Sequence, residues 1–460
     1  MDFKALAQQY REEMLKTLAE LVAIPSVEGK PEPGAPFGPE SARALAYMLD
    51  KAKGLGLKAE SVDNYCGFVE WGDGDELLVA CHLDVVPAGE GWTTPPFEAS
   101  IRDGKMYGRG VSDNKGQAVG ALYGLKALSE LGLAPKRKVR IFLGTQEESG
   151  MKDIDYYLTK QPLPEWGIVP DMEYPIYNKE KGGLGIRVHY KEDENCAVKS
   201  FKCGGATNIL PDKATAILCG KQVTLADTVK ALEAYNAGKP YAISAEEKDG
   251  DILLTGLGKS CHAAEPWNGF NAIFNLAGFL YEFLGEKAGS AVKFIARRYG
   301  MSWDGSLFGV KCEDDTGPLT LNVGIIELAC NEGFNTIDIR YPSTLDGEKI
   351  YKTICESVKD EPVELEMTRN SAPLMVPNDD PHIQMFADIY TRVTGRPSSL
   401  NSSGGGTYAR KLHNRAVSFG SALEGAPGHN IHGIDEFMVI DEFMLHNEIY
   451  LNAMYEWLFK

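Results

Sequence analysis

The sequence predicts an α/β protein, a doubly wound mixed sheet interrupted by a large inserted α+β unit. Three observations carry this. Residues 77–82 (Leu-Leu-Val-Ala-Cys-His) and 139–144 (Val-Arg-Ile-Phe-Leu-Gly) are short apolar runs of the kind expected of buried parallel strands. Between them Ala118, Ala121, Leu122, Leu125 and Leu128 recur at helical spacing, which gives a β-α-β order. From about Asn178 the texture changes to alternating, turn-rich segments such as 185–190 and 251–254, which predict antiparallel strands in a separate unit.

Taken in order, Leu6, Tyr10, Met14, Leu18, Leu21 and Val22 predict one amphipathic helix over the first twenty-odd residues, ending before Ile24-Pro25-Ser26. Residues 115–132 form the helix between the two apolar runs, and 271–285 read as a helix inside the insertion. After Pro377 the helical pattern returns (Ile383, Phe386, Ile389, Tyr390, Val393), and Glu442 to Phe459 forms a last helix. The expected plan is a first part over 1–180, an insertion over 181–375 and a second part over 376–460, with both ends of the chain in one domain.

At 460 residues and 43% hydrophobic content the chain can bury more than one core. The net charge of -18 is spread along the chain, which argues against nucleic acid and anionic membranes as partners. With no run of 18 apolar residues and no charged-then-apolar leader, neither a membrane span nor a secretory signal is expected, and the cytoplasm is the expected location. Nine cysteines, odd in number and without a C-x-x-C pair, suit reduced thiols.

His82 and Asp84 stand two apart at the carboxyl end of a predicted strand, where open α/β sheets bind ligands, so their side chains leave on one face. An imidazole that ligates a metal needs a partner to fix its tautomer, and Asp84 is placed to orient His82. Glu147 and Glu148 follow the other strand; neighbouring carboxylates there point apart, so one can hold a metal while the other acts as general base. Alone, His82 and Asp84 are better explained by ordinary hydrogen bonds in a strand-end loop, and Glu147 and Glu148 by solvated charge. Together, on one sheet, they predict a site. Imidazoles among several carboxylates suit zinc, with manganese or cobalt as alternatives. Asp113 lies in Gly108-Arg109-Gly110-Val111-Ser112-Asp113-Asn114-Lys115-Gly116, a sharp turn feeding the helix.

At these residues the sequence resembles the two-zinc metallopeptidase family of carboxypeptidase G, acetylornithine deacetylase, succinyl-diaminopimelate desuccinylase, aminoacylase and the bacterial peptidase V type dipeptidases. The likeness begins at Ile24-Pro25-Ser26-Val27 and runs through His82-Leu83-Asp84-Val85-Val86-Pro87, Gly91-Trp92 and the turn around Asp113. It implies a zinc-peptidase catalytic domain with an inserted lid domain. It further implies that Asp113 bridges two metals, that His82 and Asp171 complete one and Glu148 and His432 the other, and that Glu147 is the general base. His432 fits the family's His-x-x-Asp-Glu pattern, with His429 in reserve.

In the insertion, Lys259-Ser260-Cys261-His262-Ala263-Ala264-Glu265-Pro266 is similar to the family's lid motif, whose histidine reaches substrate. Asn208 and Arg340 resemble the peptidase V positions that meet the scissile carbonyl and the substrate carboxylate, and Ser403, Gly404, Gly405 and Thr407 belong to a segment like its glycine-rich substrate loop. The resemblance therefore implies a monomeric exopeptidase: a two-metal dipeptidase for unblocked dipeptides, in which a metal-activated water attacks the peptide bond. A deacylase of N-acyl amino acids is the alternative within the family. A catalytically silent binding protein and a two-metal nuclease are the alternatives outside it, the latter disfavoured by the acidic charge.

Overall fold

A computed structural model describes residues 1–191, 196–330, 332–426 and 428–460. The chain divides into two compact units, one formed by 1–179, 374–402 and 406–460, the other by 180–373 with 403–405. Both ends of the chain thus meet in the first unit, and three residues of the glycine-rich segment group with the second.

The first unit is organised by a mixed sheet whose strand order is Lys58–Val62, Cys66–Trp71, Lys138–Gly144, Glu76–His82, Trp166–Val169, Ala416–Ser418, Ile176–Glu180 and Leu374–Met375. Its centre is parallel: Glu76–His82 pairs in parallel with both Lys138–Gly144 and Trp166–Val169, and Ala416–Ser418 pairs in parallel with Trp166–Val169. Its margins are antiparallel. Every residue of Glu76–His82 is buried, as expected of a strand covered on both faces.

Alternation along Cys66–Trp71 shows how the faces are covered. Gly67 lies against Leu45 and Leu49 of helix Pro39–Gly54, and Trp71 packs edge-on to Phe459 of helix Ile440–Phe459. Phe68, pointing the other way, meets Tyr157 of helix Lys152–Lys160. Helices on both faces make the sheet doubly wound, as expected. The N-terminal pattern forms two helices rather than one, Phe3–Gln9 and Arg11–Val22, because Tyr10 leaves helical geometry at φ -108 and ψ 14.

The second unit carries an antiparallel sheet in the order Ile243–Lys248, Asp251–Leu257, Lys213–Leu218, Val198–Cys203, Thr320–Ala329, Glu332–Tyr341, Gly182–Tyr190 and Val363–Ser371. Alternate residues Leu184, Ile186 and Val188 join Ile337 and Ile339 in a core shared with helices Ala272–Leu284 and Ser290–Arg298. The polar partners in register, such as Arg340 opposite Gly183 and Thr320, take the other parity.

Candidate metal centre

The parallel strands deliver the first residues. His82 ends Glu76–His82, and the chain beyond it is held by Ser26, whose hydroxyl donates to the Leu83 carbonyl at 2.6 Å and whose carbonyl accepts from the Val85 N–H at 3.1 Å. Glu147 and Glu148 follow Lys138–Gly144 in a turn fixed by buried Asp153, which accepts the N–H groups of Thr145 and Gln146 at 2.7 and 2.9 Å and the Tyr408 hydroxyl. Asp84 joins the two strand ends. Its two oxygens accept the N–H groups of Glu147 and Glu148, each at 3.1 Å, and its carbonyl meets His82 Nδ1 at 2.9 Å. That last bond places the ring hydrogen on Nδ1 and leaves the Nε2 lone pair for a cation.

Asp113 is delivered by the glycine turn. Gly110 has φ +87, and a side chain there would meet Val85 at 2.7 Å, so the turn requires glycine. Buried Glu436 clasps the turn. One of its oxygens accepts from Arg109 Nη1 at 2.7 Å and the Gly110 N–H at 2.9 Å, the other from the N–H groups of Ser112 and Asp113 at 2.9 and 3.2 Å. Asn114 reaches across to Asp171, donating from Nδ2 to Oδ1 at 3.0 Å and to the Pro170 carbonyl at 2.7 Å. Lys115 is fully buried and donates to the carbonyls of Leu21 and Ile24.

The result is two groups that share one residue: His82, Asp113 and Asp171, and Asp113, Glu148 and His432. His82 Nε2 lies 3.0 Å from Asp113 Oδ1 and 3.7 Å from Asp171 Oδ1. His432 Nε2 lies 3.1 Å from both Asp113 Oδ2 and Glu148 Oε2. Donors about 2.0–2.2 Å from one tetrahedral ion lie roughly 3.3–3.6 Å apart, and these spacings are close enough for each group to hold a divalent ion. His432 holds φ 63, a left-handed conformation that histidine adopts more readily than most residues.

The electrostatics also ask for cations. Burial, reinforced by Asp113, pushes Glu148 up to about 7 and Asp171 up to about 6; burial and the neighbouring Asp171 hold Glu147 well above the usual carboxylate range. Burial opposes charge on His82, but Asp113, Asp171 and Asp84 outweigh it and raise its pKa. Hydrogen bonds from both histidines hold Asp113 low despite its burial. So many buried carboxylates need positive charge among them, and a donor set of two imidazoles and three carboxylates fits divalent ions.

His429, the reserve histidine, stands elsewhere: Nδ1 is 3.0 Å from Ser112 Oγ and Nε2 is 3.2 Å from Glu442. In the second unit, His262 sits on a two-residue strand opposite Ile209, and its Nδ1 accepts the Ala264 N–H at 3.3 Å, which puts the ring hydrogen on Nε2. Asn208 is beside it, its carbonyl accepting from the Ala263 N–H at 2.9 Å. Arg340 is buried and pairs through Nε with Asp338 at 3.0 Å. Gly404 approaches the same hairpin so closely that a Cβ would lie 2.8 Å from that of Ala264. Ser403 Oγ accepts the Gly405 N–H at 3.0 Å. Thr407, in the first unit, engages Ser418 Oγ at 2.9 Å and caps the following turn. Sequence reasoning did not single out the Glu436 clasp, Asn114 or Asp153; the only trace was the acidic pair after His432, since the partners of Glu436 and Asn114 are remote in the chain and Asp153 sits in a helix start with no motif of its own.

Comparison with known proteins gives the site a context. The profile of Peptidase family M20/M25/M40 matches residues 78–456. A putative dipeptidase of Bacillus subtilis, YtjP, is 34% identical over 468 residues, covering 99% of both chains. A Beta-Ala-Xaa dipeptidase of Lactobacillus delbrueckii subsp. lactis is 35% identical over 470 residues, covering 99% of this chain and 98% of that protein. The crystal structure of human carnosine dipeptidase 1 superposes with a TM-score of 0.62 at 16% identity, covering 99% of this chain and 98% of that one, a likeness of fold.

Proposed function

We propose, from the premise that the chain belongs to Peptidase family M20/M25/M40, that it is a metal-dependent dipeptidase that cleaves unblocked dipeptides, β-alanyl ones among them. The observation that carries this reading is Asp113 standing between two histidines, each backed by a further carboxylate. His82 and Asp171 would hold one divalent ion, Glu148 and His432 the other, and Asp113 both. Zinc is the metal this donor set favours. Such ions supply Lewis acidity and lower the pKa of water from about 15.7 to about 7 on zinc.

The protein's own residues do the rest. Asp84 orients His82 and fixes the turn that carries both glutamates. Glu147, buried and with a high proton affinity, takes a proton from water as it attacks the peptide carbonyl, then passes it to the amine nitrogen as the carbon–nitrogen bond breaks. His262, with its hydrogen on Nε2, and Asn208 would donate to the carbonyl oxygen, while Arg340 and the 403–407 segment (Ser403, Gly404, Gly405, Thr407) would bind the substrate's carboxylate. The enzyme would act as a monomer in the cytoplasm. Among the described residues no helix is long and apolar enough to cross a membrane.

The test is a panel of unblocked dipeptides, tripeptides and N-acetyl amino acids given to chelator-stripped protein with zinc or manganese restored. Cleavage confined to unblocked dipeptides is expected; cleavage of the acylated compounds alone would reassign the enzyme as a deacylase.

A further inference from the structure

A small polar cavity lies in the first unit, lined by Ser112, Gln117, Ser421, His429, Glu442 and His446 together with three apolar side chains. Two side-chain atoms of its lining residues are buried without a protein partner, Gln117 Oε1 and His446 Nε2. Their residues are 4% and 2% exposed, so bulk solvent does not satisfy them. The remaining polar atoms of both side chains are committed. Gln117 Nε2 donates to Ser421 Oγ at 2.5 Å, and His446 Nδ1 lies 2.8 Å from the Tyr174 hydroxyl. The cavity has a volume of about 10 Å³, enough for one water.

We infer that this cavity holds one ordered water that links Gln117 to His446, and that these two are positioning residues for Asp113 and Asp171. The chemistry of the lining fits a single water. With the Tyr174 hydroxyl donating to Nδ1, His446 presents an N–H at Nε2; the water accepts from it and donates to Gln117 Oε1 and to the Glu442 carboxyl group. That makes three hydrogen bonds, the usual number for a buried water. Burial keeps the His446 imidazole neutral by pushing its pKa down to about 3.

What the water joins gives it a function. Gln117 stands on helix Lys115–Ser129, which begins two residues after Asp113. Ser421, its other partner, pairs with Met172, the residue after Asp171, and Tyr174 lies three residues beyond Asp171. Ser112, beside Asp113, is held from the same cavity by His429. The water therefore closes a loop of bonds between the segments that carry two carboxylates of the metal centre, and what holds those segments in place bears on how tightly the site holds its metal.

This rests on the reading of the acidic cluster as a metal centre, and the experiment separates the two. A high-resolution crystal structure of the zinc-loaded wild-type protein is expected to show a water within hydrogen-bonding distance of His446 Nε2 and Gln117 Oε1. An empty cavity, or anomalous scattering from an ion there, would overturn the inference whatever the variants do. Gln117→Leu and His446→Phe are expected to bind zinc about 10- to 100-fold more weakly, measured against a chromogenic chelator on protein that circular dichroism shows to be folded. Unchanged zinc affinity with a lowered melting temperature would make both residues merely structural. Wild-type protein that binds no zinc would instead overturn the metal centre itself.

Discussion

Glu147 and Glu148 are neighbours in sequence and differ in what surrounds them. Glu148 has His432 at 3.1 Å and shares Asp113 with it, whereas Glu147 belongs to neither three-residue group and is kept protonation-prone by burial and Asp171. Replacing Glu147 with Gln should lower kcat by roughly 10²- to 10⁴-fold, the usual contribution of a general base, while the bound metal content stays unchanged. Steady-state kinetics with metal analysis checks this; loss of metal together with activity would make Glu147 a ligand. From sequence, both residues follow a strand of the same sheet as His82, and which of the two is the base came only from the family resemblance. Gln117 and His446 were not legible: each lies in a helix among apolar residues, and only the cavity between them marks them out.

The Gly108–Asp113 turn and the 429–436 segment form one element in space, although Gly110 and Glu436 are 326 residues apart. Arg109 and Glu436 are each about 1% exposed at the side chain, so their ion pair is sealed from water. Glu436→Gln keeps the shape and removes the charge, leaving the Arg109 guanidinium buried and uncompensated. The variant should unfold with roughly 3–5 kcal/mol less stability, measured by urea denaturation of the chelated protein. A loss below about 1 kcal/mol would mean that Arg109 finds another partner. Sequence showed the turn through its glycines and the histidine through the acidic pair that follows it, but not the clasp between them. Periodic elements such as Lys115–Ser129 were read directly, whereas two-residue strands like Cys261–His262 carry no periodicity to read.

For the whole molecule, buried His446 sets an acid limit. Its folded pKa of about 3 lies below the ordinary 6.5, so between those values the unfolded chain binds a proton that the folded chain refuses. Stability is therefore lost as pH falls from 6.5 towards 3, by at most about 1.4 kcal/mol per pH unit from this group. In chelated protein, His446→Gln should flatten the dependence of unfolding free energy on pH between 4 and 6 relative to wild type; identical slopes would contradict it. The change of period near residue 178 is where the sequence reading begins the antiparallel insertion. The grouping of residues 403–405 with the insertion was not legible, because it depends on a close approach, Gly404 to Ala264, between residues distant in sequence.

The proposed function rests on a pair of metal sites that share Asp113. Its most direct test is a zinc titration of chelator-stripped protein, followed by hydrolysis of an unblocked dipeptide and by bound metal per chain. Activity that saturates at two equivalents in the wild type, and Asp113→Ala protein that retains neither ion tightly, is the predicted result. Full activity at one equivalent, or a fully loaded protein that turns over no dipeptide, would contradict it.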